Sequence, residues 1–168
     1  PSGPQHLPQK VIPNLLGGVP HPVHLYPSGK NAVTRQSTNG RAFPLNEPNM
    51  PRRSSSTAGQ KTRELKEIAD WLDVESSERY SSSFTSTFSN VYAYDFAYLA
   101  GAYLPRVWWT HSALLSWSSG EPVAVKYSET VIELDSNALY SWLEELGLFY
   151  GWSALSDWDE AQVQANSG

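Results

Sequence analysis

The chain has 168 residues, twelve of them Pro and none of them Cys, with a net charge of −5. That is enough for one modest domain with its own core. The missing cysteine excludes disulfides, Cys-ligated zinc and thiol catalysis from the chain as written.

The average hides two unlike halves. Residues 1–58 hold ten of the prolines, three of the four His and no Trp, with six basic residues against one acid. Residues 59–168 hold all seven Trp, six basic residues and sixteen acids. Proline removes a backbone donor and fixes φ, so the first half is expected to be irregular. It reads as a Pro-rich basic arm over 1–58, partly packed on a domain over 59–168. Val11–Gly29 is apolar enough to pack, and "PRRSSSTAG" (Pro51–Gly59) is expected to be the flexible joint. No basic-then-apolar leader and no run of 18 apolar residues occurs, so the chain is expected to be soluble, with export by a route that needs no cleaved signal.

In "KTRELKEIADWLDV" (Lys61–Val74), Leu65, Ile68, Ala69 and Leu72 share one face, which predicts an amphipathic helix. The Ser-rich run "ESSERYSSSFTSTFS" is expected to be a loop. "SNVYAYDFAYLAGAY" (Ser89–Tyr103) predicts a second helix, capped by Ser89 or Asn90 and ended by Pro105. It is apolar on most sides and so should be central. The better strand candidate lies at Thr130–Leu134. "DSNALYSWLEELG" (Asp135–Gly147) predicts a third helix, begun by Asp135 or Ser136 and stopped by Gly147. "LFYGWSAL" reads as an aromatic turn, and a last helix starts at Ser156 or Asp157.

Few residues offer chemistry by themselves. His6, His21, His24 and His111 lie in no metal-ligating pattern, so no metal or cofactor is expected. The acids of "SDWDE" (Ser156–Glu160) suit a helix first turn, and Glu144 and Glu145 an exposed face. The acidic second half argues against nucleic-acid binding. Ser89, at a helix start, is a cap or a nucleophile. As a nucleophile it needs a general base, and His111 is the one histidine in the second half.

The stretch "FSNVYAYDFAYLAGAYLPRVWWT" resembles the nucleophile region of NlpC/P60-like, papain-like cysteine amidases. Their pattern runs Cys-Asn, an apolar pair, an Asp about six residues on, Ala-Gly, then Pro-Arg and aromatics. Asn90, Asp95, Ala100, Gly101, Pro105, Arg106, Trp108 and Trp109 match it. The resemblance extends over about Thr62–Gly168. It implies an α+β papain-like domain, of which this chain holds mostly the helical half with few short strands. The C-terminal sheet is expected to be lacking, with truncation or processing at Gly168.

The resemblance places Ser89 where the family has its nucleophilic Cys, and the family's catalytic His beyond Gly168, with His111 as a weak alternative. This reads as an inactivated form, engineered or natural. The implied activity is cleavage of amide bonds in peptidoglycan stem peptides by a cell-wall hydrolase, lysin or secreted antibacterial effector. Backbone N–H groups at the helix start would join the oxyanion site. Asn90, Tyr92, Asp95, Arg106, Trp108 and Trp109 would bind substrate, and Tyr94 is a further aromatic candidate. The partners implied are the stem peptide, and a C-terminal fragment or an inhibitor or immunity protein, with no nucleic acid and no membrane. The place of action would be the periplasm or the cell exterior. The alternative is a non-catalytic module that holds a wall peptide or protein.

Overall fold

A computed structural model describes residues 32–83 and 86–167. The apolar stretch 11–29 lies outside them. Five α-helices and two short strands are present among the described residues: α1 (Ala58–Leu72), α2 (Ser89–Ala100), β1 (Val107–Trp109), α3 (His111–Ser118), β2 (Val131–Glu133), α4 (Ser136–Leu146) and α5 (Trp158–Ser167). Short 3-10 turns cover Glu78–Tyr80 and Gly147–Tyr150. The described residues form a small α+β chain with far more helix than strand and one two-stranded antiparallel sheet.

Helix α2 is the axis of the molecule. Val91, Tyr94, Asp95, Ala97, Leu99 and Ala100 are all buried. On one side Val91, Leu99 and Ala100 join Ile68 and Leu72 of α1, with Val33, Leu45 and Tyr80. On the other, Ala97 packs with Tyr103, Leu104 and Leu134 and with Leu139 and Trp142 of α4. A helix apolar on most of its circumference has to be covered from several directions. The sequence expectation of a central helix is met.

The helix ends earlier than the sequence suggested. Gly101, with φ 77°, forms a left-handed C-cap, and Ala102 N–H reaches back to the Ala97 carbonyl at 2.9 Å. Only glycine takes that conformation freely, so the stop falls four residues before Pro105. Released from the helix, Val107–Trp109 pairs with β2 in the register Val107↔Glu133, Trp108↔Ile132 and Trp109↔Val131. The sheet is covered by α3 through Val107, Trp109, Ala113 and Val131.

The arm is not separate over its described part. Val33 and Leu45 are almost fully buried in the same core as α1 and α2. Arg35 pairs with Glu47 at 3.3 Å and also donates to the Trp71 carbonyl in α1. The expected joint at 51–59 is tied down as well. Arg53 N–H bonds the Leu99 carbonyl at 3.2 Å, and Ser54 and Ser55 N–H groups both reach Glu64. A run rich in Ser and Arg reads as solvated, but each of these residues supplies donors that helix carboxylates and terminal carbonyls can accept.

The starts of α4 and α5 follow capping rules. Asp135 Oδ1 accepts from Ala138 N at 2.7 Å and opens α4. Asp157 Oδ1 accepts from Glu160 N at 2.8 Å, while Glu160 reaches back to Ser156 N at 2.6 Å. The two acids cap α5 reciprocally, as their place in the sequence suggested.

Candidate functional site

The start of α2 departs from the capping expectation. Phe88 is its N-cap, and no side chain accepts there. Ser89 is therefore the first helical residue, not a cap. A hydroxyl at that position sits beside the helix and not beneath its N–H groups. Among the described residues, no side chain caps the first-turn N–H groups of Ser89 and Asn90, which as the first of the helix have no intrahelical acceptor. Ser89 is exposed, whereas its neighbours Phe88 and Asn90 are half-buried.

Both neighbours are held. The Arg41 guanidinium lies 3.4 Å over the Phe88 ring. Asn90 Nδ2 donates to the Leu134 carbonyl, next to β2, at 2.9 Å. Arg106 Nη1 donates to the same oxygen at 3.0 Å. Arg106 Nε donates to the Arg41 carbonyl at 3.0 Å, and its Nη2 pairs with Glu133 at 3.2 Å. Arg41 Nε in turn donates to the Arg79 carbonyl at 2.8 Å. Three arginines thus form a chain of contacts around the head of α2. Burial, and then repulsion from Arg79 and Arg106, hold the Arg41 guanidinium below its ordinary pKa.

Asp95 lies one and a half turns along α2 and, like Arg79, is fully buried. Arg79 Nε meets Asp95 Oδ2 at 2.5 Å and Nη2 meets Oδ1 at 3.1 Å, with both side chains fully buried. Tyr80 donates its hydroxyl to Oδ2 at 2.9 Å. Arg79 also donates to the Phe43 carbonyl at 2.9 Å. Burial raises the Asp95 carboxyl above its ordinary value, while Arg79 and Tyr80 act the other way. The same burial and the Asp95 charge raise the Tyr80 phenol.

This placement redistributes the residues expected to bind substrate. Asp95, with no exposed side chain, and Arg106, with all three guanidinium nitrogens bonded internally, form framework; direct contact with a substrate is closed to Asp95 by burial. Trp109 is buried edge-on against Trp117 at 5.6 Å. Trp108 packs edge-on against Trp142 at 6.1 Å and stays half-buried. Tyr92 is half-buried, edge-on to Tyr80 at 5.5 Å and tilted against Phe96 at 6.3 Å, whereas Tyr94 is buried. His111 is exposed at the start of α3, and no hydrogen bond joins it to Ser89.

The chain matches no protein-family model, no characterised protein and no solved structure.

Sequence reasoning missed Arg79 and Arg41. Both sit in polar surroundings that resemble solvated loop, and Arg79's partner is sixteen residues away. The signal was an Arg-Tyr pair inside an otherwise Ser-rich run, with one acid on an apolar helix in need of a cation. Among the described residues, no group of three His, Asp or Glu is arranged to hold a metal, and no helix is long and apolar enough to cross a membrane.

Proposed function

We propose that this chain is a papain-like amidase domain of the NlpC/P60 type directed at peptidoglycan stem peptides, with Ser89 in the place of the nucleophilic cysteine. One observation carries the reading. Ser89 is the exposed first residue of a central helix, beside uncapped N–H groups, and the residues on either side of it are anchored. A thiolate at such a position is stabilised by the helix dipole. The N–H groups are suited to the oxyanion of an acyl-transfer intermediate. Serine gains little from the same setting, because its hydroxyl needs a base to remove its proton. Among the described residues no base bonds Ser89, and on this reading the chain in this form would hold a wall peptide without cleaving it. Its place of action on this reading is the cell wall, outside the cytoplasm.

The test is Ser89→Cys in a chain carried past Gly168, where the resemblance places the catalytic His, incubated with purified sacculi of several wall chemistries and read by mass spectrometry of released muropeptides. New termini with Ser89→Cys and none with the parent are expected. A folded variant that releases nothing from any wall overturns the hydrolase. An exposed Ser89 with no base bonded to it among the described residues also fits a second reading, a non-catalytic wall-binding module. Sedimentation of the parent chain with sacculi, without product from the variant, would select it.

A further inference from the structure

We propose that Asn90 is a positioning residue that fixes the head of α2 through the Leu134 carbonyl, and that it acts on residue 89 without touching substrate. The inference rests on the reading of Ser89 as a nucleophile position, and it reassigns Asn90 from substrate contact to alignment.

The argument starts from one oxygen. A carbonyl has two lone pairs. At Leu134 both are taken, by Asn90 Nδ2 at 2.9 Å and by Arg106 Nη1 at 3.0 Å. The oxygen itself is fixed, because Leu134 N–H donates to the Arg106 carbonyl at 3.0 Å and the side chain is buried in the α2–α4 core. It therefore serves as a rigid post. Asn90 is the one residue of the first turn of α2 that grips it. The partner lies 44 residues away, so the bond ties the helix start to the sheet and not to its own turn.

The residue before Ser89 is held independently. Phe88 lies under the Arg41 guanidinium, and Arg106 bonds the Arg41 carbonyl. Arg106 thus joins the two grips, one on each side of Ser89. A side chain at 89 is left free while its Cα is fixed from both flanks. Removing the Asn90 amide opens one side only. The helix would remain, since Val91 and Tyr92 N–H groups still reach the Phe88 carbonyl at 3.0 and 3.1 Å. The aim of residue 89 and of the adjoining N–H groups would loosen.

The experiment uses the full chain with Ser89→Cys, and follows the rate of thiol alkylation by iodoacetamide against pH. A thiolate aligned with the helix start titrates below the free-thiol value of about 8.5. Adding Asn90→Ala should move the midpoint upward by up to about one unit, which lowers the rate at pH 7 by roughly three- to tenfold. Ile68→Val, in the other core, loosens the fold without touching Leu134 and should leave the midpoint in place. A profile unmoved by Asn90→Ala overturns the proposal, as does an equal shift with Ile68→Val. If Asn90→Ala does not fold, NMR of the parent chain decides. A slowly exchanging Asn90 side-chain amide proton with a cross-peak to Leu134 is expected, and a fast-exchanging one overturns the proposal. Alkylation does not depend on any wall substrate. A failure here leaves the muropeptide assay to judge the amidase reading, and the converse also holds.

Discussion

The head of α2 and helix α5 are both helix starts, built in opposite ways. At α2 no local side chain caps the helix, and the grips come from 44 residues away through Asn90 and from the Arg41–Arg106 bond that spans 65. At α5 the start is closed locally, with Ser156, Asp157 and Glu160 bonding one another within four residues. The surroundings differ in the same sense. Three of the chain's arginines converge on α2, whereas residues 127–168 contain eight acids and no Lys, Arg or His. Trp158 on α5 is 89 % exposed, while Asp95 on α2 is 0 % exposed. A locally capped helix depends on its own sequence. A helix held by distant partners depends on the whole fold, and its geometry is fixed to the same degree.

The largest expected effect tests the deep end of that contrast. Asp95→Ala leaves Arg79 charged and buried without a carboxylate. It should destabilise the chain by about 3–5 kcal/mol in urea unfolding. The paired change Arg79→Met with Asp95→Leu should recover most of this loss, because it is the unmatched charge that costs most. A double variant no better than the single one would show that the hydrogen bonds to Phe43 and Tyr80 dominate.

Next is Leu99→Ala, in the α1–α2 core, where the loss should be about 2–5 kcal/mol by the transfer and cavity terms.

Tyr150 gives a smaller and pH-dependent effect. Its hydroxyl is buried without a hydrogen-bond partner, and burial pushes its pKa from 10.0 up to about 12. The folded value lies above the unfolded one. The contribution is therefore complete below pH 10 and is lost as pH rises from 10 to about 12. Tyr150→Phe should be neutral or slightly stabilising at pH 7, and should reduce the alkaline loss by about 1–2 kcal/mol after discounting for partial exposure. Denaturant melts at pH 7 and pH 11.5 read both.

The smallest effects lie at α5. Trp158→Ser should change global stability by less than about 0.5 kcal/mol, because so little of the ring is covered. The carboxyls of Asp157 and Glu160 are held below their ordinary values, first by backbone hydrogen bonds from Glu160 and from Ser156 respectively. Their folded values are depressed, so the caps hold at neutral pH and are lost as pH falls through those values. Amide exchange in α5 should then rise while that of α2 stays slow. Equal loosening of both helices would show that α5 is coupled to the core after all.

The helices legible in the sequence were those with local signals. The apolar spacing of Leu65, Ile68 and Leu72 gave α1, and Asp135 and the Ser156–Glu160 acids marked the starts of α4 and α5. β1 was hidden because three residues carry no readable alternation, and its partner lies more than twenty residues on. The short helix α3, "HSALLSWS", has Ser at three of eight positions and was passed over. The arginines were unreadable for a different reason. Hydropathy treats a charge as a surface feature, and only the partner's position reveals that Arg79 belongs inside. Ser89 was legible as a position of interest through the pattern around it. What holds it in place was not, since Phe88 and Asn90 find their partners on other elements.

The two-stranded sheet is only three residue pairs long, yet Leu134 is the residue that follows its last pair. Side chains alternate along a strand, so a slip of one residue in the β1–β2 pairing would turn Leu134 out of the core and carry its carbonyl away from Asn90 and Arg106. The strand pair thus works as a vernier for the helix. Its bonds also close long loops, and such contacts form late because their entropy must be met before they gain anything. The head of α2 would then come into alignment late, after its own helix has formed.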